Sequence, residues 1–258
     1  MPRSHDIGFE MNSIFSEEFA GWPPEQTVFP VAKVDLRVLD GEHPYRVSRR
    51  DEIAANWEAE VKANPALFDG RMVFQHRLAF GEDEIRGQGY VIPFSTFMYW
   101  RRQQDRTGGM HLFSYPVIET SDNALVAIRM GAHTANPGQV YFAAGSLEPE
   151  DIASGVCDLE FNMRREVLEE TGLDLAHSTP GDSYYASRFR RTVTVMRLYR
   201  FDLTADELVE RIAAHMLVAE DKEIAGAVAI RSADHSAYPY NVAMLPVIDW
   251  YFGNPDKT

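Results

Sequence analysis

Apolar and polar positions alternate along several short stretches of the chain, and this period of two predicts β-strands. The expected strands cover residues 31–39, 72–80, 88–94, 111–119, 124–130, 140–144, 192–203 and 223–230. Ser121, Asp122 and Asn123 separate two of these stretches and are typical turn residues, so we expect a hairpin there.

Other stretches repeat apolar residues every three or four positions, which predicts helices. Ser48 is expected to cap a helix that ends at residues 64–65, and Gly172 to end a helix that begins near Asp158. Further helices are expected at 95–102, at 204–216 and at 244–252. Strands and helices that follow one another without regular alternation predict an α+β or layered α/β/α fold with a mixed sheet.

The polar stretch 103–109 is the best candidate for a domain boundary. We therefore expect a smaller N-terminal α+β domain over 1–107 and a second domain over 108–258.

Composition excludes several classes of function. A formal net charge of −14 disfavours nucleic acid as a partner, since a polyanion would be repelled at long range. No stretch approaches the roughly 18 apolar residues of a membrane span, so no membrane association is expected. The single cysteine, Cys157, forms no intramolecular disulfide, and the expected location is the cytoplasm.

One segment concentrates acidic residues at helical spacing. Glu166, Glu169 and Glu170 fall on one face of the expected helix, where three carboxylates repel one another unless a cation is present. Oxygen ligands of this kind suit Mg²⁺ or Mn²⁺. Arg165 lies four residues before Glu169 and is expected to pair with it. The opposite side of the helix carries the apolar residues Leu159, Met163 and Val167.

The segment 165–173 reads REVLEETGL. Its five fixed residues (Arg, three Glu and Gly) arise by chance on the order of 10⁻⁶ per start position at average composition, which outweighs the alternative of an ordinary solvated helix face. The segment matches the second half of the Nudix box, G-x5-E-x7-R-E-U-x-E-E-x-G-U, where U is aliphatic. Over about 111–252 the chain therefore resembles the Nudix hydrolases, which implies the fold of that family and cleavage of a small molecule at a diphosphate linkage.

The first half of the box departs from the family pattern. Gly145 follows an apolar strand as the family's first glycine does, but Asp151 stands six positions later in place of glutamate. Thirteen residues separate Asp151 from Arg165, where the family has seven. Glu148 and Glu150 are candidates for the missing carboxylate and equally for solvated loop residues.

The resemblance implies roles for individual residues. Glu166 and Glu170 would be the principal metal ligands, Glu169 a further ligand or the base, and the carbonyl of Ala144 a backbone ligand. Arg165 would act in catalysis by holding Glu169. The metal would clamp the phosphates and polarise the attacking water.

Residues outside the box are further candidates. Nudix hydrolases often supply an additional glutamate from a later loop, and Glu220 and Glu223 stand at such a place as candidate bases. Arg129, in the strand before the box, is a candidate for contact with a substrate phosphate. An ordinary surface charge is the alternative for each of the three.

A second resemblance concerns the N-terminal segment. WEAE at 57–60 and NPALFDG at 64–70 are similar to the N-terminal region of the UDP-glucose and UDP-galactose Nudix pyrophosphatases, which implies a UDP-sugar substrate. An ordinary core position is the alternative for Trp57, Leu67 and Phe68. ADP-ribose or another nucleoside diphosphate derivative is the alternative substrate. A Nudix module that senses a ligand without hydrolysis is the alternative of a different class, and the intact glutamates favour the enzyme.

Overall fold

The computed structural model describes residues 19–219 and 222–253. The helices are α1 (Pro44–Ser48), α2 (Arg50–Ala63), α3 (Phe94–Arg102), α4 (Leu159–Thr171), α5 (Ala205–Val218) and α6 (Leu245–Gly253). The strands are β1 (Phe29–Val31), β2 (Lys33–Val38), β3 (Arg71–Gly81), β4 (Glu84–Pro93), β5 (His111–Glu119), β6 (Leu125–Met130), β7 (Val140–Tyr141), β8 (Ile152–Ala153), β9 (Val156–Cys157), β10 (Thr179–Pro180), β11 (Tyr184–Phe189), β12 (Thr192–Arg200) and β13 (Ile224–Ile230).

The strands form two mixed sheets. The large sheet has the order β1-β11-β12-β5-β6-β13, with β10 beside β12 and β7 beside β6. The small sheet has the order β3-β4-β2-β9-β8. Each contains one parallel pair, β12 with β5 and β2 with β4, among antiparallel pairs. The predicted α+β fold with a mixed sheet is confirmed.

Helix α4 is defined at both ends by the residues that the sequence indicated. The side chain of Asp158 accepts a hydrogen bond from the Phe161 amide at 3.0 Å, and Gly172 ends the helix with φ of 70°. Met163 and Val167 are fully buried against the large sheet, as their spacing predicted.

The start of helix α2 differs from the prediction. Ser48 does not cap it but ends α1, where its hydroxyl donates to the carbonyl of Tyr45 at 3.0 Å. Helix α2 begins at Arg50 without a side-chain cap. The serine thus serves the end of one helix and not the start of the next, a distinction that the spacing alone does not make.

Strand β4 begins earlier than predicted because β3 and β4 form one long hairpin. Its two-residue turn, Glu82 and Asp83, has φ of 55° and 57°, which matches the twist of a tight hairpin. Gly89 lies within β4, where a Cβ would come 2.8 Å from the carbonyl oxygen of Phe74. The glycine therefore permits close strand packing.

The lengthened loop of the box adds a small hairpin to the fold. After a 3₁₀ turn at Pro149–Asp151, strands β8 and β9 pair with each other, and β9 joins the small sheet through Val156 and Arg37. The carbonyl of Leu147 accepts from the Val73 amide at 2.7 Å. The extra residues thus attach the segment before α4 to the N-terminal sheet.

Each sheet contains strands from both sides of the domain boundary predicted at 107/108. The boundary itself remains a prediction. β1 pairs with β11 of the large sheet, and one hydrophobic cluster joins residues of both sheets, among them Leu36, Val73, Leu112 and Val195. Cys157 belongs to this cluster, and burial raises its pKa to about 12. Within the described part of the chain, no helix has the length and hydropathy needed to cross a membrane.

Candidate active site

Helix α4 presents the three box glutamates to a single cavity of about 1120 Å³. Glu166 is 8% exposed, whereas the side chain of Glu169 is 58% exposed. Glu170 lies between these extremes, with its Oε2 atom enclosed and without a hydrogen-bond partner among the described residues. Glu166, Glu169 and Glu170 thus line the same cavity, and their convergence on one metal site remains a prediction.

Arg165 is held by a carboxylate from the lengthened loop. Its Nε and Nη2 atoms lie 3.2 and 3.1 Å from the two oxygens of Asp151, which is 1% exposed. The same guanidinium contacts Glu166 at 2.8 Å and Glu169 at 3.0 Å, the latter as predicted. Burial alone would lower the pKa of Arg165, but the hydrogen bonds to Asp151 and the charges of the glutamates raise it.

Asp151 is itself fixed by two further donors. The amide of Glu148 donates to it at 2.8 Å, and the side-chain amide of Asn162 at 2.9 Å. Asn162 is fully buried on α4, and its Oδ1 accepts from Ser114 of β5 at 2.6 Å. Asp151 therefore links the box loop to helix α4 and, through Asn162, to the large sheet.

The buried glutamates are unfavourable as anions in the absence of a cation. Burial raises the pKa of Glu166 to about 8, with Arg165 opposing the shift and Glu148 adding to it. Burial, followed by the charges of Glu166 and Glu223, raises the pKa of Glu170 well above its usual range. A bound cation would relieve this repulsion.

Gly145 brings the backbone close to the carboxylate of Glu166. A Cβ at this position would overlap that carboxylate, so a larger residue would require Glu166 to turn away. Ala144 and Gly145 both line the cavity beside α4. The backbone carbonyl and carboxylate oxygens available here are ligands that Mg²⁺ and Mn²⁺ prefer.

The carboxylates around Arg165 are not all turned towards a common metal position. Among the described residues, no group of three or more His, Cys, Asp or Glu side chains is arranged as a ligand set. Glu166 and Glu169 are turned towards Arg165 instead. The enclosed Oε2 of Glu170, which has no partner among the described residues, is the feature of this site that fits a metal.

The remaining candidates lie in different places. Glu223 lines the cavity, its charge acts on Glu170, and its carbonyl accepts from the Gly131 amide at 2.6 Å. Glu220 lies outside the described residues. Arg129 is exposed on β6 and is not among the residues that line the cavity, and its contact with a substrate phosphate remains a prediction.

The cavity has residues that sequence reasoning missed. His215 of α5 lies 3.1 Å from the carbonyl of Glu169, and Tyr141 stands at the end of β7 within the electrostatic reach of Glu170 and Glu223. Arg101 and His111 also line the cavity. Tyr141 lies in the strand expected before Gly145, so its position near the site was predictable. No motif in the sequence marks His215, Arg101 or His111.

Phe68 also lines the cavity, which corrects its alternative interpretation as a core residue. Its side chain is among the exposed large hydrophobic groups, at 83% exposure. Its loop is anchored at both ends: Asn64 donates to the carbonyl of His133 at 2.9 Å, and Asp69 accepts from the Ser95 amide at 2.7 Å. An exposed aromatic ring is thus held at the mouth of the cavity.

Comparison with solved structures finds neighbours of low sequence identity. No protein-family model and no curated protein sequence matches it. The protein DR0079 of Deinococcus radiodurans is 14% identical, with a TM-score of 0.43 over 70% of this chain and 99% of its own. The Nudix domain of Shewanella oneidensis NrtR, solved with ADP-ribose, is 15% identical, with a TM-score of 0.39 over 59% of this chain and 94% of its own.

A Nudix hydrolase of Nitrosomonas europaea is 18% identical, with a TM-score of 0.35 over 56% of this chain and 90% of its own. TM-scores below 0.5 carry no argument about activity.

Proposed function

We propose that this chain is a Nudix-type pyrophosphohydrolase that cleaves the diphosphate linkage of a nucleoside diphosphate derivative with the help of Mg²⁺ or Mn²⁺. One observation carries the proposal: the REVLEETGL segment turns Glu166 and Glu170 into a cavity beside Gly145, where one carboxylate oxygen of Glu170 is enclosed without a partner. A buried oxygen of this kind is unfavourable unless it binds a proton or a cation.

Glu166, Glu170 and the carbonyl of Ala144 would hold the cation, with Glu169 as a further ligand. When bound, the cation supplies positive charge that offsets the phosphates and makes water more acidic. Arg165 keeps α4 attached to Asp151 of the box loop, and so fixes the glutamates relative to Gly145. The carboxylates are then prearranged before substrate arrives.

A carboxylate at the cavity wall would accept the proton of the attacking water. Glu223 is our first candidate among the described residues because it lines the cavity and its charge acts on Glu170. Glu220, two positions beyond α5, and Glu169 are the alternatives. Water adds its oxygen to one phosphorus, and the linkage breaks to give a nucleoside monophosphate and a second phosphate ester.

The N-terminal segment would select the substrate, and we propose a UDP-sugar. Phe68, Phe94, Phe97 and Trp100 contribute to the wall of the cavity that also holds the glutamates. Cavities between two chain segments are common sites for ligands of this size. A planar base and a polar sugar match an aromatic wall that carries polar groups such as Asn136.

The test is a phosphatase-coupled release assay over UDP-glucose, UDP-galactose, ADP-ribose, dinucleoside polyphosphates and coenzyme A. Turnover of a UDP-sugar that requires Mg²⁺ or Mn²⁺ and stops in excess chelator supports the proposal. A preference for ADP-ribose in kcat/KM would replace the substrate but keep the reaction. Tight binding of a nucleotide without turnover would instead indicate a ligand-sensing module.

A further inference from the structure

Two arginines of the cavity wall lack the carboxylate partners that similar arginines have elsewhere in this chain. Arg165 pairs with Asp151, Arg197 with Glu160, and Arg200 with Glu119. Among the described residues, no carboxylate lies within ion-pair distance of Arg101 or Arg106. Both of these line the cavity, so the unpaired charge is concentrated where a ligand would bind.

Arg101 is held in place by neutral groups. Its Nη2 donates to Oδ1 of Asn136 at 3.0 Å, its Nη1 lies 3.9 Å from the sulfur of Met98, and its guanidinium lies 5.8 Å from the ring centre of Phe97. Burial, followed by the charge of Arg106, lowers its pKa, and the charge of Glu60 opposes part of this shift. The guanidinium is therefore oriented without an ion-pair partner among the described residues, and several of its donor groups remain for a ligand.

The position of Arg101 relative to the glutamates follows from Tyr141. The side-chain amide of Asn136 lies 3.5 Å from the hydroxyl of Tyr141, so Asn136 joins this tyrosine to Arg101. The charges of Glu170, Glu223 and Arg101 all act on Tyr141. Tyr141 therefore lies close both to Arg101 and to the carboxylates of the cavity.

Opposite charges that line one cavity match a ligand that carries a cation on one side and anionic oxygens on the other. A diphosphate bound through a divalent cation has this arrangement, because its remaining oxygens keep negative charge. A planar guanidinium with several donors suits phosphate oxygens particularly well. Binding them would also compensate the unpaired charge of Arg101.

We propose that Arg101, contributed by helix α3 of the N-terminal segment, binds the diphosphate group of the substrate in the cavity that Glu166 and Glu170 also line. This inference rests on the proposed function for the identity of the ligand. It assigns the N-terminal segment a direct contact with the phosphates, in addition to the selection of the nucleoside or sugar.

The experiment compares R101M, which keeps the alkyl chain but removes the charge, with R101K, which keeps a charge. R211M is the matched control, since Arg211 is exposed on α5 and does not line the cavity. Calorimetry measures the Kd of inorganic pyrophosphate with and without Mg²⁺, and thermal unfolding gives the Tm of each variant.

We expect R101M to weaken pyrophosphate binding at least 10-fold in whichever condition the wild type binds, R101K to weaken it less, and R211M to leave it unchanged. The Tm of R101M should stay constant or rise, because an unpaired charge is removed from a partly buried position. For the substrate found in the release assay, kcat/KM of R101M should fall roughly 100-fold at saturating Mg²⁺.

Equal Kd values for R101M and the wild type overturn the proposal, as does a wild type that binds pyrophosphate in neither condition. A lower Tm with unchanged binding shows that Arg101 only stabilises the fold. These outcomes are separate from failure of the proposed function, which is absence of turnover by the wild type. Pyrophosphate binding that depends on Arg101 would still support the site in that case.

Discussion

Asp151 and Arg165 form a two-point ion pair, with Nε–Oδ1 and Nη2–Oδ2 distances of 3.2 and 3.1 Å, between the loop of the box and its helix. The aspartate side chain is 0% exposed, and that of the arginine 16%. The pair fixes one end of the long loop to α4 just where the glutamates enter the cavity. It also restrains the guanidinium that contacts Glu166 and Glu169.

Asp151→Asn should lower the free energy of unfolding by about 3 kcal/mol, the lower end of the cost of breaking a buried ion pair. All four groups that contact Asp151 are donors, from Arg165, Asn162 and the Glu148 amide, so an amide nitrogen cannot replace either oxygen. Urea unfolding measures the change, with Glu150→Gln, an exposed neighbour, as the control.

The same variant should also raise the Mg²⁺ concentration needed for half-maximal activity. An arginine released from Asp151 would pair more fully with Glu166 and compete with the cation. Unchanged stability and unchanged Mg²⁺ dependence would show that the pair has no role in organising the site.

Glu223→Gln should lower kcat by roughly 100-fold or more and change KM little, because a general base acts mainly in the transition state. Steady-state kinetics at saturating Mg²⁺ measure the two constants separately. Glu220→Gln is the parallel variant. Near wild-type rates in both would move the role of base to Glu169.

Phe68→Ala should raise KM for a UDP-sugar about 10-fold, since stacking of a base on an aromatic ring contributes roughly 1–3 kcal/mol. Leu217→Ala is the matched control, because Leu217 is equally exposed, at 83%, but does not line the cavity. We expect UDP-sugars to exceed ADP-ribose in kcat/KM and the Phe68 variant to change that ratio. Equal losses for both substrates would show that the N-terminal loop does not select between them.

The free energy of unfolding should fall as the pH decreases from about 6.5 to about 4, in part because of His43. Burial lowers the pKa of this histidine from 6.5 to about 4, so the unfolded chain binds a proton that the folded chain excludes. Nearly all of the stability that His43 contributes is present above pH 6.5, and none remains below pH 4. The difference amounts to at most about 3 kcal/mol.

His43→Asn is the variant that isolates this effect. It keeps an acceptor for the Tyr45 amide, which Nδ1 of His43 binds at 3.1 Å, but it does not titrate. Denaturation at several pH values should show a smaller loss between pH 6.5 and 4 for the variant. Parallel curves for the two proteins would contradict the assignment to His43.

The sequence predicted those parts of the molecule in which local chemistry decides the structure. Asp158 and Gly172 define α4 at the residues expected, since a cap and a left-handed glycine act within one turn. The hairpin of β5 and β6 and the helix at 204–216 were also predicted and are confirmed, the helix as α5. The helical spacing of Glu166, Glu169 and Glu170 thereby placed three carboxylates on one wall of the cavity.

Features that depend on distant contacts were not predicted. Asp151 was noted only as a departure from a pattern, because its partner, Arg165, lies across a loop whose path the local sequence does not determine. Arg101 carried no signal, since its role depends on which wall of the cavity α3 reaches. Phe68 was assigned to the core as an alternative, because hydrophobicity alone does not show which side of a loop faces solvent.

Glu170→Gln tests most directly whether Glu170 holds a catalytic cation. The substitution keeps the shape of the side chain and removes its charge, while Glu210→Gln changes an exposed residue of α5 as the control. The measurement is hydrolysis of the preferred substrate over a range of Mg²⁺ concentrations, with urea unfolding of each protein. We predict a loss of roughly 100-fold or more in kcat for Glu170→Gln, no loss in Glu210→Gln, and a free energy of unfolding that is unchanged or raised, because burial disfavours the charge of Glu170. Wild-type turnover by Glu170→Gln, or wild-type turnover in excess chelator, would contradict the account.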